Sequence, residues 1–80
     1  MVHLFNISVN DDTVSCDYTP ETSNDVGHVD VDITSEEITN VQFSEYEYGK
    51  SMYVAHVRSK LLELVKLSEP IPSEATAIWF

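Results

Sequence analysis

Glycine is scarce in this chain, with only Gly27 and Gly49, and so is cysteine, with only Cys16. So little glycine leaves no loop to cradle a phosphate, and no GxSxG, HExxH or Walker-type sequence occurs. A lone cysteine permits neither an internal disulfide nor a cysteine-rich zinc site. No apolar run approaches the roughly 20 residues that span a bilayer. The opening MVHLFNISVN lacks a basic stretch and alternates apolar with polar residues, which predicts a strand rather than a signal peptide. The expected address is therefore cytoplasmic.

Positive charge is the most informative scarcity. Residues 1–49 hold no lysine or arginine against eleven acids; residues 50–66 hold Lys50, Arg58, Lys60 and Lys66 against Glu63; Glu69 and Glu74 follow. The formal net charge is −10. Binding to nucleic acid or to an anionic membrane needs clustered Lys and Arg, so neither is an expected partner. The same field attracts a basic protein or a cation. Its bland counterpart is solubility, which surface charge supports more often than recognition.

What the chain does have is pattern. Hydrophobic residues make up 42% of it, enough for a small core despite the charge. The stretch SMYVAHVRSKLLELVKLSE, residues 51–69, carries the only sustained helical period. At about 3.6 residues per turn, Tyr53, Val54, Val57, Leu61, Leu64 and Val65 share one face, with His56, Ser59, Lys60, Glu63 and Lys66 opposite. Ser51 is the expected N-cap, and Pro70 stops the helix because it lacks an N–H and disfavours a helical predecessor. A longer version would start at Ser44, with Glu47 at capping-box spacing, but it carries Gly49 internally at a cost of about 1 kcal/mol.

Before the helix, period-2 alternation predicts strands over residues 2–9, 13–19 and 28–34, and a less regular one over 38–43. In the first, His3, Phe5, Ile7 and Val9 alternate with Val2, Leu4, Asn6 and Ser8; in the second, Val14, Cys16 and Tyr18 face inward. Asn10, Asp11 and Asp12 join these two as a hairpin. The third alternates Val29, Val31 and Ile33 with His28, Asp30, Asp32 and Thr34, giving a core face and an acidic wet face. After the helix, ATAIWF, residues 75–80, predicts a short terminal strand docked on the sheet. If that strand runs parallel to the one feeding the helix, a right-handed crossover is expected.

Chemistry-bearing clusters are few. His28, Asp30 and Asp32 share one strand face and form a ligand set that zinc or manganese accepts, yet alternating acids are the ordinary outside of a strand. Cys16 beside three histidines invites a nucleophile reading, but it lies between Val14 and Tyr18 on the inward face, where cysteines are inert. Acid pairs such as Glu36 with Glu37, or Glu45 with Glu47, occur by chance in so acidic a chain. Arg58 falls toward the apolar side of the helix and is expected to reach the rim or an acid of the sheet.

The sequence therefore predicts one small domain, residues 1–80, of the α+β class: an antiparallel sheet of about four strands, one amphipathic helix packed on one face, and a short C-terminal strand. It predicts no enzyme, cofactor or metal. The expected function is a non-enzymatic acidic module that binds a basic protein, as a monomer or weak homo-oligomer. Its expected contact residues are Asp30, Asp32, Glu36, Glu37, Glu45 and Glu47 with Tyr46 and Tyr48. Two alternatives are a nucleic-acid mimic of the kind phages and mobile elements use as inhibitors, and a metal-binding or structural oligomeric module.

Overall fold

Alternation of apolar and polar residues along the first half of the chain builds four strands of a five-stranded sheet, a short strand near the end of the chain adds the fifth, and an amphipathic helix covers one face. The computed structural model describes residues 1–20, 25–42, 52–67 and 70–78. The elements are β1 (Val2–Asn10), β2 (Thr13–Pro20), β3 (Gly27–Asp32), β4 (Ile38–Gln42), α1 (Met52–Leu67) and β5 (Ala75–Ala77). The order across the sheet is β4-β3-β2-β1-β5, and every neighbouring pair is antiparallel. It follows that β5 runs in the direction of β4, at the opposite edge, with the whole sheet between them.

The core is the set of positions that the period-2 and 3.6 patterns place face to face. Val14, Cys16 and Tyr18 of β2 and Val29 and Val31 of β3 are buried beneath Tyr53, Val54, Val57, Leu61, Leu62 and Leu64 of α1, with Val2, Leu4 and Ile7 of β1 and Ala77 of β5 completing the layer. Ile33, Ile38, Val41, Val65 and Ile71 pack around its rim. Each fully buried Val or Leu contributes about 1.5–3 kcal/mol of transfer free energy, so this one layer holds the domain together.

β1 departs from simple alternation. Val2, Leu4 and Ile7 are all buried, which strict alternation forbids. The register slips by one residue between Phe5 and Ser8, because Asn6 sits at φ 53° in the left-handed region and inserts a bulge. Asparagine tolerates that conformation. The bulge also turns the Ile7 amide toward the Ser73 carbonyl, 3.1 Å away, tying β1 to the segment before β5.

Two other boundaries differ from the sequence expectation. β3 ends at Asp32 rather than at residue 34, because the Ile33 amide leaves the ladder to donate to the Asp12 carbonyl at 2.8 Å. β5 ends at Ala77, and Ile78 is exposed. The expected Ser51 cap, the Ser44–Glu47 box, residue 43 and the docking of Trp79 and Phe80 lie outside the described residues. Among the described residues, no helix is long and apolar enough to cross a membrane.

Candidate functional site

The face of the sheet opposite α1 receives the polar half of each alternating strand. Register sets Phe5, Asp17, His28 and Gln42 side by side in one row across β1 to β4, and Ser15, Asp30 and Asn40 in the next. At the junction of the rows, His28 of β3 is held by two carboxylates. Its Nδ1 lies 2.8 Å from Asp17 Oδ1 of β2, and its Nε2 lies 2.8 Å from Asp30 Oδ1 of β3. The outer oxygens are satisfied in turn: Asn6 donates to Asp17 Oδ2 at 2.9 Å, and Asn40 donates to Asp30 Oδ2 at 3.1 Å. A continuous chain of hydrogen bonds thus crosses four strands, from Asn6 through Asp17, His28 and Asp30 to Asn40.

A carboxylate only accepts, so a ring bonded to one through each nitrogen must donate twice, which is the imidazolium form. The electrostatics agree. His28 is raised above the usual histidine range, chiefly by its hydrogen bond to Asp17, against a smaller loss from partial burial, with Asp30 adding to the rise. Partial burial pushes Asp17 up, but hydrogen bonds from Asn6 and His28 outweigh it and hold the carboxyl below the usual range. Asp30 behaves alike: burial raises it, and hydrogen bonds from Ser15, Asn40 and His28 bring it lower. The side chains keep 37%, 29% and 24% of their surface open for His28, Asp17 and Asp30, so the group is reachable from solvent.

Toward the β5 edge the same face carries an aromatic pair. His3 stacks on Phe5 with ring centroids 5.8 Å apart, and its Nε2 lies 3.2 Å from Glu74 Oε1. Met1 and Ile78, next to the paired Val2 and Ala77, are exposed at this edge, and Val26, just before Gly27 of β3, is exposed at the same end of the strands.

The sequence-predicted contact residues separate in space. Asp30 belongs to the outer-face network, whereas Asp32 is a turn residue whose Oδ1 accepts from the amides of Thr34 and Ser35 at 2.8 and 3.1 Å. The trio His28, Asp30 and Asp32 is therefore split: the histidine nitrogens face carboxylates on opposite sides rather than converging with Asp32. No cluster of three or more His, Cys, Asp or Glu side chains suited to a metal occurs among the described residues.

Glu36, at φ 63°, is enclosed from the helix side: Lys66 Nζ donates to its Oε2 at 2.7 Å, and Arg58 Nε donates to its carbonyl at 2.6 Å. The Lys66 hydrogen bond and charge keep the Glu36 carboxyl below its usual range. Thr34 donates through its hydroxyl to the Asp12 carboxylate, so the β3–β4 loop is pinned to both the first hairpin turn and α1. Glu37 is exposed on that loop. Glu45, Tyr46, Glu47 and Tyr48 lie outside the described residues. Cys16 is buried, and burial, then the charges of Asp17 and Asp30, push its thiol up to about 12.

Sequence reading missed Asp17 as a partner of His28, and Asn6 and Asn40 as the amides that hold the outer oxygens of Asp17 and Asp30. The available signal was the two-residue Asp11–Asp12 turn, which fixes Asn10 opposite Thr13; the bulge at Asn6 then shifts the pairs beyond it. Comparison with protein-family models, with curated proteins and with solved structures found no match.

Proposed function

We propose that this chain is a non-enzymatic acidic interaction module of the cytoplasm that binds a basic protein partner on the open face of its sheet. The observation that carries this reading is the outer face itself: Asp17 and Asp30 sit part-exposed at its centre, with half-buried Phe5 beside them and Met1, Val26 and Ile78 exposed at one end. An acidic centre bordered by apolar surface suits a cationic side chain whose stem or neighbours are apolar. The described lysine and arginine side chains, Arg58, Lys60 and Lys66, all belong to α1, and each has a partner within the chain: the Glu36 carbonyl for Arg58, Glu63 for Lys60 and the Glu36 carboxylate for Lys66. A net charge of −10 also repels a second copy, which favours a monomer or a weak oligomer.

The mimic reading asks for rows of free carboxylates. Asp32 and Glu36 are instead engaged in a turn and an ion pair, and Asp17 and Asp30 converge on one histidine, so the acids form a single cluster with Phe5 beside it rather than a row, which favours the basic-protein reading. The test is affinity capture from host lysate at low salt, with salt-gradient elution and mass spectrometry. A basic protein released at moderate salt, and bound more weakly by Asp30→Asn and Glu37→Gln, is the expected result. Salt-insensitive binding would overturn the proposal.

A further inference from the structure

The geometry points to a pH-operated clasp on the open sheet face: protonated His28 holds Asp17 of β2 and Asp30 of β3 with one N–H each, whereas neutral His28 releases one of them and leaves the face one charge more negative. The reasoning begins with donor counting. A neutral imidazole has one N–H and one lone pair, so only one carboxylate keeps its hydrogen bond after the proton leaves for solvent. The other carboxylate then faces a lone pair at 2.8 Å, an arrangement that both groups avoid by moving apart.

The surroundings supply no substitute cation. From β2, Asp17 faces the ring; from β3, Asp30; from β1 and β4 come the neutral amides of Asn6 and Asn40, bonded to the far carboxylate oxygens, and Gln42 opposite in register. His3 of β1 and Glu74 before β5 are the next titratable groups on this face, and they pair with each other. Arg58, Lys60 and Lys66 belong to α1, on the other face of the sheet. A released Asp17 keeps the Asn6 amide, a released Asp30 keeps the Asn40 amide and the Ser15 hydroxyl, and either one loses its bond to the ring. Both carboxylates favour the imidazolium form, so His28 gives up its proton at a higher pH than a free histidine does.

The consequence for recognition rests on the functional reading above: a basic partner binds the face more tightly as pH rises and the internal cation is lost. The clasp itself does not depend on that reading. Ring and carboxyl carbon shifts of the intact chain, followed by NMR from about pH 5 to about pH 9, test it directly. Three results are expected. The His28 ring carbons titrate with a midpoint above the ordinary value of about 6.5. The Asp17 or Asp30 carboxyl carbon shifts with the same midpoint. Asp17→Asn and Asp30→Asn each move the His28 midpoint down. A wild-type His28 midpoint at or below the ordinary value overturns the clasp without recourse to any variant, and so do carboxyl carbons that ignore the His28 transition. If these shifts behave as expected while binding of a captured basic protein does not change with pH, the clasp stands and the reading of the face as the docking surface fails.

Discussion

Replacing Gly27 by alanine should destabilise the domain although glycine is a poor strand residue. Gly27 is buried opposite Tyr18, and its φ lies outside the left-handed region, so alanine meets no backbone strain. The obstacle is the Tyr18 ring. A Cβ at residue 27 would lie 2.7 Å from Oη and closer still to Cε1 and Cζ, where carbon contacts prefer about 3.5–4.0 Å. The ring must retreat by about 1 Å, yet Tyr18 is fully buried and wedged in the core. Overpacking of this kind costs about 1–3 kcal/mol. Loss of glycine's freedom in the unfolded chain returns about 0.4–1 kcal/mol. The net expectation is a loss of about 1–2 kcal/mol, against a total of about 4–12 kcal/mol for a chain of this size. Thermal unfolding followed by circular dichroism should show Tm falling by about 5–15 °C. In a double-mutant cycle, Tyr18→Leu should cost less on the alanine background than on the wild type, because the shorter side chain vacates the contested space. A Gly27→Ala variant as stable as the parent, or additive costs in the cycle, would refute the steric argument.

Arg58→Ala should lose about 1–2 kcal/mol in urea titration, since it strips a charged donor from the Glu36 carbonyl and packing from the helix rim; a change below about 0.3 kcal/mol would mean that the contact is incidental. The His28 network predicts a definite pH profile. The raised His28 contributes stability that is full below about pH 6.5 and fades as pH climbs through its folded value, whereas the lowered Asp17 and Asp30 contribute stability that is full above about pH 4 and fades as pH falls through theirs. Wild type should therefore exceed His28→Gln most at about pH 5–6, by about 0.5–1 kcal/mol after discounting for solvent exposure, and the gap should narrow toward pH 9; a gap that widens with rising pH would contradict the sign. Cys16, buried and with its thiol pushed up to about 12, should react with iodoacetamide only as fast as the domain opens, and rapid labelling of the native protein at neutral pH would contradict its placement.

The parts of the fold that were legible are those where one short-range period decides. β2, β3 and most of α1 put their apolar residues where period 2 and period 3.6 place them, because each buries one stripe; on α1 the stripe is wider than expected and takes in Leu62, while Val65 stays at its rim. β1 was not legible in full: nothing in FNISV announces that Asn6 will adopt a left-handed conformation and reset the phase, so that Val2, Leu4 and Ile7 share one face. The candidate site was half legible. Asp30 and His28 are two residues apart and had to share a face, but the third member, Asp17, reaches them only through cross-strand register. Asp32 looked equivalent to Asp30 by spacing, yet the strand ends there and the carboxylate turns to cap the amides of Thr34 and Ser35. Arg58 reached the sheet side, as its helical angle suggested, but donates to the Glu36 carbonyl rather than to a carboxylate, and Lys66 takes the carboxylate across thirty residues of chain.

The central claim is that the open sheet face, not the helix, receives a basic partner. The most direct measurement is a two-dimensional amide NMR titration of the isotope-labelled chain at low salt with the basic protein that affinity capture returns. The account predicts shift changes centred on Phe5, Asp17, His28, Asp30 and Asn40, reversed by added salt. Changes centred instead on the exposed side of α1, around Ser59 and Glu63, or a capture that yields no basic protein at all, would contradict it.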